Sequence, residues 1–70
     1  MNDSLIDRIR NAEEAARGLL LTAVQIREEV ERLPLEDQAL RAELSESAEE
    51  FENQANGLAV HLERWRKQIN

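Results

Sequence analysis

Two stretches of the chain repeat apolar residues in alternating steps of four and three, and no polar side chain interrupts either. The first runs through Leu5, Ile9, Ala12, Ala16, Leu19, Ala23, Ile26, Val30 and Leu33, the second through Leu44, Ala48, Phe51, Ala55, Leu58, Leu62, Trp65 and Ile69. A mean period of about 3.5 residues keeps one stripe of a slightly underwound α-helix turned toward a neighbour. Each run therefore specifies a long helix packed side by side with another in a left-handed twist. A strand would need strict alternation, which neither run contains.

The residues between and beside the runs set the boundaries. Pro34 has no N–H, and its ring steers Leu33 away from helical angles. Proline is also favoured at the first position of a helix, and Glu36 and Asp37 follow where negative charge suits the helix dipole. Near the start, "NDSLID" offers a capping box, Ser4 with Asp7 three residues on. At the far end, "ERWRKQIN" sets Arg64, Arg66 and Lys67 against the negative pole of the second helix. The expected organisation is one all-α domain over residues 1–70: helix 4–33, a turn near 34 and helix 35–69, folded back as an antiparallel two-helix hairpin. The competing arrangement is a single long helix, kinked at Pro34 and dimerised along its length.

A hairpin of this size has too little interior to be comfortable alone, so small domains recruit disulfides, metals or further copies. The chain has no cysteine and a single histidine, His61, which removes disulfides and thiolate zinc sites. Further copies remain. In the second helix Leu40, Ser47, Gln54, His61 and Gln68 recur every seven residues without a fixed charge, in a chain that is 34% charged. In the first, "ARGLLLTAVQI" places apolar side chains on several sides of the helix. Both features predict two hairpins associating into an antiparallel four-helix bundle, a homo-oligomer that is a dimer or, as a larger alternative, a tetramer. Its expected interface draws on Leu19, Leu20, Ala23, Ile26, Leu40, Phe51, Gln54, Leu58, His61 and Trp65. Leu21 and Val24 exceed what such a bundle needs, and read either as a partner's docking spot or as ordinary exposed apolar residues. Gly18 and Gly57 lie mid-helix, each at a cost of about 1 kcal/mol against alanine. Drift would leave them there; so would the close approach of a neighbouring helix.

Charge is unevenly spread. Residues 28–52 hold ten acidic and two basic residues, whereas residues 53–70 hold Glu63 against Arg64, Arg66 and Lys67. A hairpin would thus carry an acidic turn end and gather Arg8, Arg10, Arg64, Arg66 and Lys67 at its open end. The segment "SESAEEFEN" reads as a solvated helix face or as an acidic patch for a basic protein surface. "HLERWRKQ" reads as charge complementarity at a helix end, or as an anion or nucleic-acid site in which basic residues interleave with an aromatic. A net charge of −6 weighs against non-specific nucleic-acid binding.

Catalytic chemistry finds little to work with. Nucleophilic catalysis needs a nucleophile beside a base, and His61 has glutamines rather than carboxylates at its seven-residue neighbours. The Glu-x-x-His pattern of di-iron bundles is absent, since Leu58 stands three residues before His61. No glycine-rich phosphate loop occurs, and Glu13–Glu14 and Glu49–Glu50 are adjacent pairs that diverge around a helix. No cofactor and no metal are expected. "MNDSLIDRIRN" lacks the pattern of a secretory signal, and "GLLLTAV" is far short of the roughly 20 residues that cross a bilayer. A cytoplasmic setting away from membranes is expected.

The expected function is accordingly non-enzymatic. A small oligomeric regulator or adaptor would bind a protein partner through Leu21 and Val24 and the acidic residues Glu43, Glu46, Glu49 and Glu50. Its size and arginine-dominated basic complement fit a bacterial or phage protein. Two alternatives stand beside it. One is an anion-binding module holding a nucleotide-like ligand or RNA through Arg8, Arg10, Arg64, Arg66 and Lys67. The other is a structural subunit of a larger assembly.

Overall fold

The computed structural model describes residues 3–69, which form two helices and no strand: α1, Asp3–Arg32, and α2, Gln38–Ile69. They pack against each other as an antiparallel hairpin 56 Å long and 14 by 12 Å across. Every residue of both apolar runs is buried or half-buried along the line where the helices meet. Among the described residues the buried ones, Ile9, Ala23, Ala48, Ala55 and Leu62, all share one phase of the heptad. Three of the five are alanines in the middle of the seam, where small side chains let the helix axes come close.

The turn forms later than the sequence suggests. Leu33 N–H donates at 3.2 Å to both the Glu29 and the Val30 carbonyls, a tightened last turn that ends α1. Pro34 does not open the second helix. The stretch Pro34–Asp37 forms a four-residue turn closed by Asp37 N–H on the Pro34 carbonyl at 3.1 Å. The first helical bond of α2 runs from Arg41 N–H to the Asp37 carbonyl at 3.0 Å, which puts Asp37 at the N-cap position. Glu36 and Asp37 therefore lie ahead of α2, not in its first turn. Two antiparallel helices need several non-helical residues to reverse direction, and a helix starting at Pro34 would leave none. At the other terminus α1 already includes Asp3, so Ser4 sits inside the helix; residue 2, ahead of the helix, lies outside the described residues.

Arg41 holds this end together. Counting back from Leu44, it occupies the next seam position. Its guanidinium Nη1 donates to the Val30 carbonyl at 2.6 Å and the Leu33 carbonyl at 3.1 Å. The last carbonyls of a helix have no partner within it, and here the second helix supplies one. The stem lies along the seam while the charged head reaches the polar helix end.

Two cross-helix ion pairs fix the register. Arg27 grips Glu52 with two hydrogen bonds, Nε to Oε2 at 3.0 Å and Nη2 to Oε1 at 2.6 Å, and Arg66 Nη2 lies 3.3 Å from Glu13 Oε1. The pairs are fourteen residues apart on both helices. Near the start of α1, Leu5 is half-buried and Ile9 buried, so the end of α2 lies beside them. The 32 residues of α2 alone should span about 48 Å of the observed 56 Å.

Candidate interaction surfaces

Two helices can enclose only the line between them. Among the described residues Ile9 and Leu62 are the large side chains that come nearest to full burial, each still 6% exposed, and Leu19, Ile26, Phe51, Leu58 and Trp65 keep more of their surface in water although all lie on the seam. A core residue normally touches several neighbours on every side, which a hairpin cannot provide. The accessible surface of 5559 Å² exceeds by about 1,000 Å² the roughly 4,500 Å² typical of a folded monomer of this mass. Of the residues expected at an oligomer interface, Leu19, Ala23, Ile26, Phe51, Leu58 and Trp65 are placed on the seam within one chain. Leu20, Leu40, Gln54 and His61 are exposed on its flanks.

The two long edges of the hairpin differ. One carries both ion pairs. Between them in sequence, seven residues from each, Leu20 on α1 and Ala59 on α2 belong to the same edge. Val24 lies one turn beyond Leu20, and Leu21 is within three residues of Val24, so the three cover one connected area of α1. Leu21 is 59% exposed and Val24 51%, and Val60 continues the apolar surface on α2 at 53%. Beside it, Ala59, Val60, Leu62, Glu63 and Arg66 line an open groove of about 480 Å³. Leu20, Leu21 and Val24 lie near the middle of α1.

The opposite edge is mostly small and polar: it presents Ala15, Thr22, Ser47, Gln54 and His61, with Gly18 and Gly57 beyond them, and Leu40, 44% exposed, near the turn. A Cβ built on either glycine meets no atom within 4 Å, so nothing in the hairpin requires glycine there. Thr22 turns its hydroxyl back onto the Gly18 carbonyl at 2.8 Å. The ring of His61 stacks on Trp65, with centroids 5.9 Å apart and planes 27° from parallel. That contact holds the histidine against the seam tryptophan and gives it no acid–base partner.

The turn end is acidic, as expected. Glu43, Glu46, Glu49 and Glu50 are all exposed, and the last three line an open depression of about 390 Å³ with Asn53. The basic residues Arg8, Arg10, Arg64, Arg66 and Lys67 do gather toward the other end, and all are exposed. They do not converge. Arg8 and Arg10 project about 200° apart around α1, as do Arg64 and Arg66 around α2, and Arg66 is already turned onto Glu13.

No family model matches the chain, and no curated protein or solved structure shows significant similarity to it. Its function is therefore argued from these surfaces alone. Among the described residues no group of three or more His, Asp or Glu side chains could hold a metal ion, and no helix is long and apolar enough to cross a membrane.

The electrostatics centre on one contact. The hydrogen bonds from Arg27, aided by its charge against some desolvation, hold the Glu52 carboxyl below its ordinary range. The same bonds, the charge of Glu52 and that of Glu49 raise Arg27 in turn. Arg27–Glu52 and Arg41 escaped the sequence reading. Arg27 lies beside the apolar run, where a heptad pairing rule could have flagged it, and Asp37 ahead of α2 was a legible cap.

Proposed function

We propose that the chain is a self-associating helical adaptor that acts by binding proteins and performs no chemistry of its own. The observation that carries this reading is the incomplete core: among the described residues the buried set is three alanines with Ile9 and Leu62, and the other large seam side chains stay partly in water. Such a chain gains most of its remaining stabilisation when another polypeptide covers the apolar surface. A bundle of two hairpins, four helices in all, is the simplest closed arrangement. The acidic turn end then steers a basic protein surface toward the assembly, with Glu43, Glu46, Glu49 and Glu50 as its exposed charges. The divergence of the arginines at the other end favours this over an anion pocket within one hairpin.

The test is affinity capture from the native host with three baits: wild type, a quadruple Glu→Gln variant at residues 43, 46, 49 and 50, and Arg64→Glu with Arg66→Glu. The adaptor reading predicts a basic protein held by the wild type, lost with the first variant and kept with the second. Capture of RNA or nucleotide that only the arginine variant loses would overturn it in favour of anion binding. Recovery of nothing but the chain itself would overturn it in favour of a structural subunit.

A further inference from the structure

We infer that the apolar face formed by Leu20, Leu21, Val24, Ala59 and Val60 is covered by a second copy of this chain, docked by a two-fold axis with the hairpins antiparallel. This rests on the self-association proposed above and adds the face and the orientation. Three observations carry it.

The first is position. A two-fold axis perpendicular to the hairpin overlaps two copies along their whole length only if it crosses the midpoint. Leu20, Leu21 and Val24 lie near the middle of α1, Asp3–Arg32, which runs nearly the length of the hairpin. An axis there sets α1 against α1 of the second copy, with Leu20 of each opposite Val24 of the other. A patch near either end would have left half of each hairpin uncovered.

The second is charge. In this arrangement the acidic turn end, with Glu36, Asp37, Glu46, Glu49 and Glu50, overlies the end of the second copy that carries Arg8, Arg10, Arg64, Arg66 and Lys67. The same juxtaposition occurs twice, once at each end. Hairpins docked parallel through this face would instead bring ten-acid segments together at one end, which like-charge repulsion opposes.

The third is area. A stable interface takes about 800 Å² from each partner, and the hairpin exposes about 1,000 Å² more than a folded monomer of its mass. The opposite edge, with its glycines, Thr22, Ser47 and Gln54, is equally long but offers far less apolar surface to remove from water.

The experiment measures mass in solution for the wild type, Val24→Glu, Val24→Ala and Gln54→Glu, together with one distance. The chain has no cysteine, so Glu36→Cys carries a single spin label per copy. The inference predicts a wild-type dimer and label-to-label separations approaching the 56 Å length of the hairpin. Val24→Glu should weaken dimerisation by about 100-fold or more, because it buries a charge without a partner. Val24→Ala, which keeps helix propensity high, should weaken it by about tenfold. Gln54→Glu should leave it unchanged. A dimer insensitive to Val24 substitutions and broken by Gln54→Glu would overturn the face. Labels close together would overturn the orientation. In both cases self-association would stand, whereas a monomeric wild type would remove that as well.

Discussion

Arg41 Nη1 donates to the Val30 carbonyl at 2.6 Å, so a side chain of the second helix closes the end of the first. The turn itself is made without glycine and without any positive-φ residue among the described positions. Its geometry depends on this contact and on Asp37 starting α2. Arg41→Ala should therefore destabilise the fold by about 1.5–3 kcal/mol, the range for hydrogen bonds to a charged group. At fixed protein concentration that is a drop on the order of 10 °C in Tm. Arg41→Lys should recover part of it, because an ammonium reaches the carbonyls without the planar fork.

Gly18 and Gly57 offer the reverse experiment. A methyl group at either position meets nothing in the hairpin, and alanine favours a helix interior over glycine by about 1 kcal/mol. Gly18→Ala and Gly57→Ala should each raise thermal stability by about that amount, and their effects should add because the sites share no contacts. A loss of stability would mean that another helix presses on this edge in solution.

Glu52 contributes to the acid sensitivity of the hairpin. Its carboxyl is held lower in the folded chain than in the unfolded one by the hydrogen bonds from Arg27. A depressed folded value stabilises the fold above the ordinary carboxylate range, and that stabilisation fades as pH falls through the folded value. Carboxyl titration by NMR should show Glu52 ionising below the ordinary glutamate range. Arg27→Gln should return it to the common range and flatten the dependence of stability on pH in the acid limb. An unchanged Glu52 titration would remove the ion pair from the account.

The helices were legible because heptad spacing is a property of the chain's own periodicity, and every residue from Leu5 to Ile69 on the two runs is at least half-buried. The turn was less so. Pro34 carries two opposite statistical meanings, helix end and helix start, and only the space needed to reverse direction decides between them. Arg41 was hidden for a different reason: at a seam position, arginine reads as a break in an apolar run, and its role exists only once the two helix ends meet. The exposed face shows a further limit. Leu20, Leu21 and Val24 stand out in the sequence as excess apolar residues. That they share an edge with Ala59 follows only from the Arg27–Glu52 and Glu13–Arg66 pairs that mark that edge.

The central claim is that separate copies complete this fold, and dilution tests it most directly. Sedimentation and thermal melts would be recorded together over about a thousand-fold range of concentration, down to sub-micromolar chain. The account predicts a species of twice the 8.1 kDa chain mass at the upper end, with a Tm that falls as the sample is diluted. A single 8.1 kDa species that stays helical and melts cooperatively at the same temperature throughout would contradict it.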